Sequence, residues 1–330
     1  MIRETSFRLL SFIVLALAIL TFEPRVNADA PAPAPATNAP DSVAAPAAPA
    51  SPTDVTKING VEVEQTKGQI TGLNIKDASI LTEADYKQIR QMEGLKKLGF
   101  GKGPDDATLK LLAGMPNVEN FSSNGSHFTN DGLATFATFP ALQNLTFFHP
   151  GKDFTGTGLA PLAALPHLES FSIGGTTSFS DPGLTTVATF PHLTGLRFWH
   201  VGVTSEGVKA LLSLKELKSL MLGQQLDSKG KATLNDDSVA VVAQISTLES
   251  LTLGEARLSL AALTKLSQLP NLKRLTLDSI DISESDVAAL KKALPKVDIK
   301  WTAPTDRRRI DALFGPPGGA PPTPAPIPAK

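Results

Sequence analysis

The sequence predicts an α/β solenoid: a parallel sheet on the concave side, helices on the convex side, and about nine coils stacked one on the next. Three observations predict it. An apolar signature, L-x-x-L-x-[LF], returns at starts separated by 25, 23, 24, 26, 25, 24, 31, 24 and 25 residues, a period diagnostic of repeat architecture. Each interval has one internal order: a strand-like run, a turn rich in Gly, Ser, Thr and Asp, then a helical stretch ending near proline. Composition, finally, offers no rival framework. With no cysteine in 330 residues, disulfide scaffolds, thiolate zinc sites, iron–sulfur clusters and cysteine nucleophiles are all excluded. The 31 Lys and Arg against 32 Asp and Glu give no electrostatic hold on nucleic acid or anionic lipid.

The first elements lie outside the period. Arg3 and Arg8 precede Leu9–Phe22, a nearly uninterrupted apolar run of 14 residues, and Val26-Asn27-Ala28 offers a small-residue cleavage site. Residues 1–28 therefore read as a signal peptide. The run is shorter than the roughly 20 residues of a spanning helix, so no stable membrane insertion is expected after cleavage. Residues 29–53 read as a linker: Ala30–Thr53 holds seven prolines and ten alanines, too little apolar surface to offset chain entropy. A semi-extended stalk is expected.

Residues 54–69 read as an N-terminal hairpin cover. Val61 and Val63 alternate with polar neighbours, and Lys67-Gly68 supplies the turn. The repeats then run from 70 to 301: Ile70-Leu73-Ile75, Leu95-Leu98-Phe100, Val118-Phe121-Ser123, Leu142-Leu145-Phe147, Leu168-Phe171-Ile173, Leu193-Leu196-Phe198, Leu217-Leu220-Leu222, Leu248-Leu251-Leu253, Leu272-Leu275-Leu277, closing on Val297-Ile299-Trp301. Helix entries carry capping side chains, as in Asn130-Asp131-Gly132-Leu133 and Ser180-Asp181-Pro182-Gly183-Leu184, with further caps expected at Asp105, Thr155, Thr204, Asp236 and Ser283. The seventh interval is stretched near Leu226–Lys231, which predicts a surface loop. Residues 302–330 read as a short cap segment and a Pro-rich tail. Arg307–Phe314 suits a helix with Ile310, Leu313 and Phe314 on one side, and eight prolines fall between Ala303 and Lys330.

On these residues the chain resembles the leucine-rich-repeat family, and among its members the ribonuclease-inhibitor-like repeats of exported bacterial proteins, with their T-D-x-G-L helix entry. The resemblance spans residues 70–301. It implies a concave parallel sheet backed by convex helices. One departure is plain. Where the family places a ladder-forming Asn or Cys, this chain has Gly103, Ser126, Pro150, Thr176, Val201, Gln225, Ala256 and Ile280.

Alternation along each strand places the residues between and just after the leucines on the concave face. Most are small or polar. The exceptions are Phe148 and His149 in one repeat and Arg197, Trp199 and His200 two repeats on, with Gly174-Gly175 between them. With strands about 4.8 Å apart, the two aromatics are expected roughly 10 Å apart across a glycine floor. Two readings are open. The five residues line a ligand-binding slot in which Phe148 and Trp199 stack on a ring, or they are surface aromatics packed on the chain.

Other candidate chemistry reduces to structure. Four of the five histidines recur by repetition, His149 with His200 and His167 with His192, and none of the five has ligand spacing, so no metal and no cofactor is expected. Asp105-Asp106 and Asp236-Asp237 read as helix caps before an acid/base pair. Gly99-Phe100-Gly101-Lys102-Gly103 lacks the phosphate-loop pattern, and G-x-S-x-G is missing. The sequons at Asn120, Asn124 and Asn144 fall on or beside concave strands, and Arg307-Arg308-Arg309 reads as a solvated face before a dock for an acidic partner. The function expected is an exported, non-enzymatic, monomeric recognition module that binds a protein, peptide or glycan. The alternative is a structural spacer of the cell envelope tethered by its Pro-rich ends.

Overall fold

A computed structural model describes residues 54–225 and 232–316. The signal segment, the linker, the Leu226–Lys231 stretch and the tail from Pro317 lie outside the described residues. Eleven strands form one sheet in strict chain order: β1 (Val61–Thr66), β2 (Gln69–Ile75), β3 (Lys97–Phe100), β4 (Asn120–Asn124), β5 (Asn144–Phe148), β6 (Ser170–Ser180), β7 (Gly195–Gly202), β8 (Ser219–Gly223), β9 (Ser250–Gly254), β10 (Arg274–Asp278) and β11 (Asp298–Trp301). Only β1 and β2 are antiparallel, joined through Lys67 and Gly68, both left-handed at φ 52° and 79°. The twist of that two-residue turn matches the twist of the flanking strands.

Every other neighbouring pair is parallel and in register on the repeat signature, as in Leu145↔Phe171↔Leu196↔Leu220↔Leu251↔Leu275. Register follows from burial. One face of each strand carries the leucines, and a slip of one residue would turn all of them to solvent. Residues such as Leu145, Phe171, Leu251 and Leu275 are fully buried, each worth roughly 1.5–3 kcal/mol of burial.

Short helices cross back behind the sheet: α1 (Glu83–Arg90), α2 (Asp106–Leu111), α3 (Asn130–Leu133), α4 (Asp181–Val187), α5 (Asp236–Val242), α6 (Leu260–Thr264) and α7 (Glu284–Ala293), with 3-10 turns at Ala134–Thr138, Thr157–Ala164, Gly207–Ser213 and Lys265–Gln268. The core between sheet and helices runs through buried phenylalanines. Phe121, Phe128, Phe136, Phe147, Phe154, Phe171 and Phe179 touch ring to ring at centroid distances of 4.7–6.4 Å. The contacts are edge-to-face or tilted, the arrangements that ring quadrupoles favour. No helix among the described residues is long and apolar enough to cross a membrane.

Helix entries differ from expectation in an instructive way. Asp105 and Ser283 cap α2 and α7 as expected. The helical turns near Thr155 and Asp236 begin instead after Gly156 and Asn235, while Thr204 still accepts from the Gly207 N–H at 3.3 Å ahead of the turn that follows Glu206. The displaced residues join a ladder between coils. The N–H and hydroxyl of Thr129 donate to Asp106 at 3.0 and 2.6 Å, those of Thr204 donate to Asp181 at 2.7 and 2.7 Å, and Ser259 N–H donates to Asp236 at 3.0 Å. Asn130 and Thr155 make the equivalent pair. An acid or amide at the start of one coil thus fixes the cap residue of the next. The glycine of the Thr-x-x-Gly helix entry has a cause in this ladder: a Cβ on Gly132 or Gly207 would overlap the carboxylate of Asp106 or Asp181.

The last strand ends on Trp301, whose indole N–H donates to the Ile280 carbonyl at 2.9 Å. Residues 302–316 then form an arm containing α8 (Arg308–Phe314), with Ile310 buried.

Candidate functional site

The helix-free face of the sheet is where the five candidate residues project. From β4 to β9 each strand shows three outward positions, such as Asn120, Ser122 and Asn124 on β4 and Asn144, Thr146 and Phe148 on β5. Apart from Phe148, Arg197, Trp199 and Met221, the floor they make is hydroxyl, amide and glycine. Along these six strands Arg197 is the one charged outward side chain. Its Nε donates to the Met221 sulfur at 3.4 Å, and among the described residues no carboxylate forms an ion pair with it.

Phe148, Gly174 and Trp199 stand in register on β5, β6 and β7. The rings do not face each other across the glycine as two walls of a slot. Phe148 leans over Gly174, within 3.6 Å of where a Cβ there would stand. Trp199 leans the other way, across Gly223 and Gly254 of the next two strands, whose missing Cβ atoms leave room for the indole. Each aromatic therefore rests on its own glycine bed. Phe148 stays 43% exposed and Trp199 is half-buried.

The histidines directly follow the outward aromatics, His149 just past the end of β5 and His200 within β7. Positions 125, 149, 175, 200, 255 and 279 each follow a strand or its last outward residue, and each is left-handed. Glycine occupies two of them. His149 (φ 43°), His200 (φ 54°), Glu255 (φ 57°) and Ser279 (φ 53°) hold the others, at a cost of about 1 kcal/mol or more each relative to glycine. Their N–H groups stay in the ladder, as in His149 to the Gly174 carbonyl at 2.8 Å and His200 to the Gln224 carbonyl at 3.0 Å. His149 lies over Gly175, with Nδ1 3.1 Å from Asn124 Oδ1. His200 is 2.8 Å from Glu255 Oε2, and Arg309 of the arm reaches both.

Burial pushes the Glu255 carboxyl up, but His200 and Arg309 outweigh it and hold the group below the ordinary range. Sequence reasoning missed this cluster. Arg309 is 109 residues from His200, and no local spacing signals such a contact. The arginine run is solvated only in part: Arg308 is 91% exposed beside Asp306, whereas Arg307 reaches Asp281 and the half-buried Arg309 reaches Glu255.

The sequons are engaged as well. Asn144 Nδ2 donates to Asn120 Oδ1 at 2.8 Å, and Asn124 meets His149. No group of three or more His, Asp or Glu side chains suited to a metal occurs among the described residues.

In-register apolar strands, one per coil, make this fold a leucine-rich-repeat solenoid. No family model and no curated protein matches the chain. Among solved structures it is similar to internalin C2 of Listeria monocytogenes, at 17% identity over 67% of this chain and 84% of that one, TM-score 0.39. It is also similar to the internalin InlF of the same organism, at 20% identity over 69% and 77%, TM-score 0.32.

Proposed function

We propose that the chain is an exported, non-enzymatic recognition module that binds a protein, peptide or glycan on the concave face of its sheet, through Phe148, His149, Arg197, Trp199 and His200. One observation carries this reading. A floor of small uncharged groups is interrupted at one place, where an exposed phenylalanine, an arginine without a carboxylate partner and a half-buried tryptophan lie within three neighbouring strands. Aromatic and arginine side chains contribute most per residue to binding when desolvated by a partner. Arg197 is poised for a partner's anionic or carbonyl oxygen, because no acid among the described residues pairs with it. The strands beneath already fix the backbone of these groups, which leaves only their side chains to be ordered on binding.

Peptide and glycan arrays probed with the purified protein test the proposal. Trp199→Ala should weaken the strongest interaction by about 2 kcal/mol, roughly 30-fold in Kd, with the melting temperature little changed. Undiminished binding by that variant would remove Trp199, and the site with it.

A further inference from the structure

We propose that the ligand of the sheet face is an acidic glycan, a chain of sugar rings bearing carboxylates, laid across β4–β7 with one carboxylate on Arg197. This deepens the reading of the face as a binding surface and rests on it.

Charge singles out the anchor. Arg197 is exposed, and it is the one charged outward side chain from β4 to β9. Its Nε is turned to the Met221 sulfur, and its two terminal nitrogens make no hydrogen bond among the described residues. They form the edge of a planar fork that matches a carboxylate. An anion arriving there meets no like charge on these strands.

A polar row leads to that anchor. Ser122, Thr146, Ser172 and Arg197 stand in register on four neighbouring strands, so they follow one another at about 4.8 Å. The three hydroxyls make no hydrogen bond among the described residues. Each can both donate and accept, which suits a ligand whose own groups are hydroxyls. Beside the row, Asn144 Nδ2 donates to Asn120 Oδ1 at 2.8 Å. That pairing leaves a donor on Asn120 and an acceptor on Asn144 for a ligand.

The aromatics flank the row on its other side. Phe148 is 43% exposed, and Trp199, two residues beyond Arg197 on the same face, lies over Gly223 and Gly254. The negative face of an aromatic ring attracts weakly positive hydrogens, and the C–H groups of a sugar ring supply them.

A protein partner fits this face less well. Protein interfaces have an apolar core and are poor in serine. Among the described residues the exposed large apolar side chains are Ile80 and Phe148, and Ile80 lies off the strands, in the turn Ala78–Ile80. A peptide cannot add here as an extra strand either, because β4–β7 are each paired on both sides.

The test titrates the full chain with oligomers of galacturonate, alginate and hyaluronan, with dextran as a neutral glycan and poly-glutamate as an acidic peptide. At least one acidic oligomer should bind about tenfold or more tightly than dextran and poly-glutamate, and should weaken as salt is added. Arg197→Gln should reduce that affinity about tenfold and remove most of the preference over dextran. Thr146→Val combined with Ser172→Ala should reduce it several-fold, with the melting temperature unchanged in both variants. Binding of none of the three acidic oligomers, equal affinity for dextran, or undiminished affinity in Arg197→Gln would overturn the glycan. Tightest binding of poly-glutamate, lost in Trp199→Ala, would overturn the glycan alone and keep the face as a binding surface. An acidic oligomer whose affinity survives both Arg197→Gln and Trp199→Ala would remove the face as well.

Discussion

A lone hydrogen in place of a side chain at Gly207 lets Asp181 reach across to the next coil and hold Thr204 by two hydrogen bonds. The same relation joins Gly132, Asp106 and Thr129. Glycine, acid and threonine therefore form one unit spread over two repeats, and a double-mutant cycle should expose it. Gly207→Ala forces the Asp181 carboxylate aside and should cost about 1–3 kcal/mol in urea unfolding. Asp181→Ala orphans the Thr204 N–H at a similar cost. The two together should cost clearly less than the sum, because the alanine collides with nothing once the carboxylate is gone. Strict additivity would show that the glycine serves another purpose. The Thr-x-x-Gly entries at Thr129–Gly132 and Thr204–Gly207 were legible in the sequence, but their cause was not: the atom that excludes a side chain at Gly207 belongs to the preceding repeat.

Strands were the most legible elements, since a period of 23–26 residues leaves one register in which every leucine is buried at once. The ladder was harder. Without the usual Asn or Cys after each strand, the chain uses acids at the helix entries, where a side chain that looks like a cap serves the neighbouring coil instead, as Asp236 does for Ser259.

The stretched seventh interval has a separate device. Gln224 is fully buried at the exit of β8; its Oε1 accepts from the N–H groups of Gln225, Thr233 and Leu234 at 3.2, 2.7 and 3.3 Å, while its Nε2 donates to the Leu234 carbonyl at 3.0 Å. One amide thus ties together both ends of the longer loop. Gln224→Ala would leave several buried backbone groups unpaired and should lower stability by about 3 kcal/mol, read as a fall in the urea midpoint. A change below 0.5 kcal/mol would mean that the loop closes without it.

For the whole molecule, stacking decides what is free to vary. The leucine-bearing side of each strand is committed to a shared interior, which leaves the opposite side open to carry recognition. The sequence located Phe148, Arg197 and Trp199 on that side and in register, because alternation and period suffice for both, but not the left-handed turn of the backbone that places His149 and His200. Ring directions were beyond it. Trp199 rests on Gly223 and Gly254, 24 and 55 positions away in the chain, and only the assembled sheet shows that their missing side chains make the bed. The arm was half legible: its helix was expected, its ionic contacts with Asp281, Glu255 and His200 were not.

The central claim is that the sheet face carries function through the place where Phe148, Arg197 and Trp199 meet. It is tested most directly by titrating an array-selected peptide or glycan into the full chain and into its Phe148→Ala, Trp199→Ala double variant, after matched melting temperatures show both folded. The account predicts a loss of affinity of more than about 30-fold in the double variant. Equal affinities in the two folded proteins would contradict it and move the site elsewhere.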